Sequence, residues 1–422
     1  MEIKDIYCKQ TGDHCKYIKH SSGLDIYVCE MNGFSTTEAL FGTKYGSINT
    51  MFKTKNDKQY TVVPEGIAHF LEHKLFENED CDAFALYAQT GANANAYTSF
   101  DRTCYLFSCS DNYIKSLEIL LDFVQKPYFT KETVDKEQGI IGQEIQMCND
   151  NPGWKVLFNM LQGMYHNHPV RIDIAGTIES IAQIDADLLY KCYNTFYNLH
   201  NMVLVIAGNV KTDEVLEVAD RLLKPCENQE LETVFEEEPY EVVKHDVIEH
   251  LPVGSPIFNI GIKCRPENGN ARIKAEMECM IALNVLADPS TPLYKKMMDD
   301  GLINSTFCVE AFTGDGFFSL IFSGESESPE RVREYIVNEI ESAKINGLDK
   351  KMFNTIKKST YGMMVRISNN PEAVASNLIS AYMSGVEPYQ SIKILSEMTY
   401  DDVQKCLIER FDTNNMTMSV IK

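Results

Sequence analysis

Three residues able to do hydrolytic chemistry fall within five consecutive positions: His69, Glu72 and His73, in the stretch TVVPEGIAHFLEHKLFE (61–77). On a helix, residues four apart project from the same side, so the two imidazoles can grip one metal ion. Glu72 stands one residue from His73 and three from His69, where its carboxylate can reach a water in an open position on that metal. Zinc lowers the pKa of such a water, and a neighbouring carboxylate can take its proton and later pass it to a leaving amine. This is the H-x-x-E-H order of the inverted zinc peptidases. The alternative is a helix that carries two histidines by chance. With nine histidines in 422 residues, that spacing around a glutamate is expected far less than once.

A catalytic zinc site takes a third protein ligand. The best source is KETVDKEQGIIGQEIQM (131–147), which reads as a helix despite Gly139 and Gly142. Glu137 and Glu144 are seven apart and share a face. At about 1.5 Å per residue they lie roughly 10 Å apart along the axis, too far for both to bind one ion. One is then a ligand and the other supports it from behind. Their spacing does not say which; Glu132 and Asp150 are weaker competitors. A solvated acidic helix face is the plain alternative.

These side chains need rigid elements beneath them. Pro64 and Glu65 suit the first turn of the motif helix, and Ile67, Phe70, Leu71 and Leu75 supply its apolar face. DIYVCEM (25–31), TCYLFSC (103–109) and MVLVIAG (202–208) look like strands. LEILLDFV and ADLLYKCYNTFY carry apolar residues at helical spacing. Strands and helices mix without strict alternation, so the expected class is α+β. A faint repeat runs through the chain. KCYNTFYNLHNMVLVI (191–206) corresponds to KCLIERFDTNNMTMSV (405–420), and CYLFSCSDNYIKSLEILLDFV (104–124) to FFSLIFSGESESPERVREYIV (317–337). The offset is near 214 residues, which points to two copies of one α+β unit. The acidic stretch around 229–245 separates them. The expected organisation is a zinc-binding domain over 1–230, a linker over 231–245 and a homologous second domain over 246–422.

Composition narrows the function. There are 39 basic and 61 acidic residues, a net charge of −22. That balance speaks against nucleic acid or an anionic membrane surface as the main partner. No stretch reaches the roughly 18 apolar residues of a membrane span. The start, MEIKDIYCKQ, has no apolar leader pattern. Thirteen cysteines are scattered without a C-x-x-C pair, as suits reduced thiols in a cytoplasm. His166 and His168, followed by Pro169, read as a loop rather than a second metal site.

Together, H-F-L-E-H at 69–73, E-Q-G-I-I-G-Q-E at 137–144 and G-A-N-A-N-A-Y-T-S at 91–99 resemble the insulinase/pitrilysin/mitochondrial-processing-peptidase family of zinc peptidases, in particular its short bacterial half-length members. The resemblance covers nearly the whole chain. It implies one Zn2+ per chain, with Glu144 the third ligand beside His69 and His73, Glu137 in support and Glu72 the general base and acid. It implies two similar α+β domains, each a mostly antiparallel sheet packed with helices. It also implies that Asn95, Ala96, Tyr97 and Thr98 lie on an edge strand to which a peptide substrate adds as a further strand. The second copy has no histidine after His250 and cannot hold a second site of that kind.

The chain departs from the family in one place. Many active members carry an Arg and a Tyr, seven apart, in the second domain. The matching segment here, PLYKKMMDDGLINSTF (292–307), has Met297 and Asn304 at those positions. The expectation is a two-chain enzyme whose related second subunit supplies the Arg/Tyr pair, or else a homodimer with other oxyanion donors. A non-catalytic scaffold subunit and a dedicated maturation peptidase for a peptide natural product are the alternatives.

Overall fold

The computed structural model describes residues 2–79 and 82–422. Its packed units are not contiguous in sequence. Unit 1 takes the chain up to Ile145, then Asp173–Val234 and Val365–Tyr389; unit 2 takes Gln146–Ile172, Phe235–Met364 and Gln390–Lys422.

Unit 1 contains strands β1 (Glu2–Tyr7), β2 (His14–Lys19), β3 (Asp25–Glu30), β4 (Thr37–Thr43), β5 (Met51–Lys53), β6 (Thr61–Val62), β7 (Asn93–Thr98), β8 (Thr103–Cys109), β9 (Met202–Gly208) and β10 (Glu232–Thr233). Seven of them form one sheet in the order β1-β2-β3-β9-β4-β8-β7; β5, β6 and β10 make a small second sheet. Within the large sheet only β3 and β9 run parallel. Unit 2 holds β11 (Asp246–Glu249), β12 (Ile257–Lys263), β13 (Cys308–Gly314), β14 (Phe317–Glu325) and β15 (Met416–Ile421), ordered β11-β15-β12-β14-β13. Here the parallel pair is β11 and β15, and the other pairs are antiparallel. Strand for strand, this repeats β3-β9-β4-β8-β7 in order and direction. The internal duplication is thus a property of the fold, and the α+β class with two homologous halves is the one observed.

Six helices matter below: α1 (Ile67–Leu75), α2 (Lys131–Asn149), α3 (Pro152–Met164), α4 (Gly269–Ala287), α5 (Lys350–Ile367) and α6 (Pro371–Met383). Helices α3 and α6 are counterparts. Each has 13 residues, an Asn cap (Asn151, Asn370) whose side chain accepts from the first helical amides, and Pro at the start. Each packs on the sheet of the unit built mainly from the other half of the sequence, α3 on β12 and β15, α6 on β4 and β9. A glycine makes room in both cases. A Cβ on Gly42 of β4 would lie 2.7 Å from Ile379 Cδ1 and 2.9 Å from Met383 Cε; on Gly261 of β12 it would lie 2.7 Å from Met160 Sδ and 2.8 Å from Met164 Sδ. Only a bare backbone lets a helix come that close.

In unit 1, α6 closes one face of the sheet through Ala375, Leu378, Ile379 and Met383, against Leu40, Cys104, Val203 and Val205. The other face carries the larger core, including Phe41, Tyr105, Phe107 and Leu204, on which α1 packs Ile67, Phe70, Leu71 and Leu75. The strand and helix segments read from the sequence are found, and Cys29, Cys104, Cys264 and Cys279 are buried as small core hydrophobes.

Candidate metal centre

Helix α1 begins later than the sequence suggests. Pro64 and Glu65 precede it, and the first helical residue is Ile67, after Gly66 in the left-handed region (φ 86°). Two contacts explain this. A Cβ at Gly66 would lie 2.3 Å from the Ala175 carbonyl oxygen, and the Glu65 carbonyl accepts from Ser180 Oγ at 2.9 Å. The backbone is pinned to the 175–180 segment before it can turn into helix.

From Ile67 on, the helix presents His69, Glu72 and His73 toward α2 and β7. The imidazole centroids are 4.5 Å apart. His69 Nε2 lies 3.6 Å from one Glu144 oxygen and His73 Nε2 lies 3.5 Å from the other. Ligands about 2.0–2.2 Å from a tetrahedral zinc are spaced about 3.3–3.6 Å apart; each imidazole–carboxylate separation is of that size, and one donor atom from each of the three residues lies within 4.8 Å of the others. Among the described residues, His69, His73 and Glu144 are the group whose donor atoms converge in this way; Glu132 and Asp150 are not in it.

Glu137 has a different place. Its carboxylate meets the far nitrogen of His73, Nδ1, at 3.0 Å. A proton held on Nδ1 leaves the lone pair of Nε2 facing Glu144, which is how a carboxylate behind a ligand histidine fixes its tautomer. The two glutamates of the α2 face therefore meet opposite sides of one imidazole.

The electrostatics follow from burial and neighbours. Burial and the adjacent His73 push His69 down to about 3. Burial also pulls on His73, but the Glu137 bond and the charges of Glu72, Glu137 and Glu144 outweigh it and raise its pKa. For Glu137, burial is outweighed by the His73 contact, and its pKa falls. Glu72 is raised, chiefly by burial. One imidazole is thus held neutral and the carboxylates crowd the same space, a distribution that a divalent cation would relieve.

Glu72 Oε2 accepts a 3.0 Å hydrogen bond from Thr98 Oγ1. Thr98 ends β7, and β7 is the sheet's edge, paired on one side only with β8. Asn95 and Tyr97 are exposed and Ala96 and Thr98 half-buried; the Asn95 side chain accepts from the Ala96 amide. His166 and His168 belong to unit 2. His168 is buried, with Nδ1 accepting from the Val170 amide and Nε2 on the Asp315 carbonyl, so it is a structural imidazole. Sequence reasoning missed the Thr98 bond, and also Lys74, fully buried beside the motif and paired with Glu77. No spacing rule flags either.

A duplicated α+β scaffold with an H-x-x-E-H helix and a glutamate from a second helix defines a metallopeptidase-type fold. Residues 61–178 match the family model "Insulinase (Peptidase family M16)" and residues 183–360 match "Peptidase M16 inactive domain". The "uncharacterized zinc protease YmfH" of Bacillus subtilis is 37% identical over 421 residues, 99% of this chain and 98% of that protein. An M16-like peptidase from Alicyclobacillus acidocaldarius has the same fold with a TM-score of 0.93 and 32% identity, covering 100% of this chain and 98% of its own. A protease from Helicobacter pylori aligns at 18% identity and a TM-score of 0.82, over 100% and 99%. The chain belongs to the insulinase family, peptidase family M16.

Proposed function

We propose that this chain is the catalytic subunit of a zinc-dependent endopeptidase acting on peptides or unfolded polypeptide segments. The observation that carries the reading is the grouping of His69, His73 and Glu144, donor atoms within 4.8 Å of one another and each Nε2 3.5–3.6 Å from a Glu144 oxygen, with Glu137 on the far nitrogen of His73. These three would hold one zinc ion, which when bound supplies a Lewis acid and an acidified water. Glu72 takes a proton from the attacking water and returns it to the leaving amine; burial, which raises its pKa, suits it to do both. The free edge of β7, at Asn95, Ala96, Tyr97 and Thr98, offers main-chain groups to an extended peptide, a grip that tolerates many sequences.

A related second subunit fits the second unit of this chain. Met297 is fully buried, and Asn304 is occupied by Glu325 and Thr306, so neither stands ready to act in place of the family's Arg/Tyr pair. The partner would supply that pair; a homodimer is the alternative assembly. A purely scaffolding role is opposed by the intact donor set. The cytoplasm is the proposed compartment, in keeping with twelve free cysteines among the described residues. No helix among the described residues is long and apolar enough to cross a membrane.

The test is hydrolysis of a quenched-peptide library by the purified zinc-loaded chain, with Glu72→Gln as control. Cleavage abolished by Glu72→Gln supports a peptidase that needs no partner. One bound zinc per chain without cleavage supports the two-chain form. No zinc binding would end the reading.

A further inference from the structure

The Glu72 carboxylate is not held by its own helix. One oxygen is tied to Thr98 Oγ1 at 3.0 Å. Thr98 Oγ1 lies 3.3 Å from Thr103 Oγ1, directly across the β7–β8 pair, and Thr103, fully buried, donates to the Tyr45 carbonyl at 2.8 Å. Thr98 has one proton to give, and an ionised carboxylate is a stronger acceptor than a second hydroxyl. Thr103 has given its own proton to the Tyr45 carbonyl, so the 3.3 Å approach of the two hydroxyl oxygens is a packing contact, and what holds the Glu72 oxygen is the Thr98 hydroxyl.

Unit 2 contains a natural comparison. Thr313, on the equivalent edge strand β13 but two residues beyond Ala311, the counterpart of Thr98 in the sheet register, donates to Glu276 Oε2 on α4 at 3.1 Å. The residues three before and one after Glu276 are Ile273 and Met277, where Glu72 has His69 and His73. The cross-strand neighbour of Thr313 is Phe318, where Thr98 has Thr103. A threonine of the edge strand thus holds a helix carboxylate in each unit, and in unit 1 that carboxylate stands between two histidines.

We propose that Thr98 is a positioning residue for Glu72. Its hydroxyl fixes the carboxylate through Oε2, so that the base does not have to be ordered during the reaction. Thr98 also ends the strand proposed to receive the peptide, so docking of substrate and aim of the base share one residue. This rests on the zinc-peptidase reading, and the experiment separates the two.

The zinc-loaded chain and its Thr98→Val, Thr98→Ser and Thr313→Val variants are compared for zinc content, for kcat and KM on one cleaved peptide, and by crystal structures of the native and Thr98→Val proteins. Thr98→Val should lower kcat roughly 10- to 100-fold with KM and zinc content near native. Thr98→Ser should recover most of the loss, and Thr313→Val should leave kcat unchanged. In Thr98→Val crystals the Glu72 carboxylate should have left its native place. A native kcat in Thr98→Val, no recovery with Ser, or an equal loss in Thr313→Val would overturn the proposal. If the native zinc-loaded chain cleaves nothing, the peptidase reading fails for the chain alone and the crystals decide: an unmoved Glu72 carboxylate in Thr98→Val rejects the positioning role of Thr98, a displaced one upholds it.

Discussion

A double-mutant cycle at Gly42 and Ile379 would test whether α6 lies on β4 as described. In Gly42→Ala the new methyl must sit 2.7 Å from Ile379 Cδ1, 2.9 Å from Cys104 Sγ and 2.9 Å from Met383 Cε. Overpacking of this kind costs about 1–3 kcal/mol, while replacing a strand glycine by alanine returns about 0.5–1 kcal/mol. The net expectation is a loss of roughly 1–2 kcal/mol. Ile379→Val alone, in a fully buried site, should cost about 0.5–1.5 kcal/mol. That substitution removes the δ-carbon that collides with the new methyl, and the flexible Met383 can shift its end. The pair should therefore be more stable than the sum of the single losses by about 0.5–1.5 kcal/mol. Urea unfolding followed by far-UV circular dichroism gives the four free energies. Additivity within about 0.3 kcal/mol would mean that Ile379 does not sit over Gly42.

Two further outcomes are expected. Glu137→Gln should weaken zinc binding roughly 10- to 100-fold, read by competition with a chelating dye, because the His73 ring loses its anionic anchor; an unchanged affinity would remove Glu137 from the site. His168 gives a pH signature. Burial lowers it to about 4 from an ordinary value near 6.5, so the unfolded chain binds its proton first. Its contribution is complete above about pH 6.5 and is lost as pH falls toward 4, up to about 3 kcal/mol in all. His168→Gln should flatten that part of the stability profile; an unaltered profile from pH 7 to 4 would refute the assignment.

Much of the site was legible because its chemistry is local. His69, Glu72 and His73 are bound by helical periodicity, and Glu137 and Glu144 by two turns of another helix. Which glutamate faces which nitrogen was not legible from spacing, since seven residues of helix put both on one face and only the packing of α1 against α2 tells them apart. The duplication showed in the Lys-Cys and Asn-Met correspondences, because paired strands preserve their apolar runs. The exchange of α3 and α6 did not show. A helix's apolar face says that it is covered, not by which sheet, although the Asn-Pro starts at 151–152 and 370–371 mark the two as counterparts. The start of α1 was misplaced because Gly66 answers to the distant Ala175 carbonyl rather than to its neighbours. Thr98 was legible as part of the peptide-receiving strand but not as a partner of Glu72, because their contact is set by the packing of α1 against β7.

The exchanged helix has a consequence for how the protein is made. All strands of the large unit 1 sheet have been synthesised by residue 208, yet the helix that covers Leu40, Val203 and Val205 is not complete until residue 383. At about 5–20 residues per second, the nascent chain carries an uncovered apolar sheet face for on the order of ten to thirty seconds. During that interval a ribosome-associated chaperone has its natural substrate. A chain broken off after the first repeat would keep the metal-binding helix, yet never acquire the cover that lets its sheet stand in water.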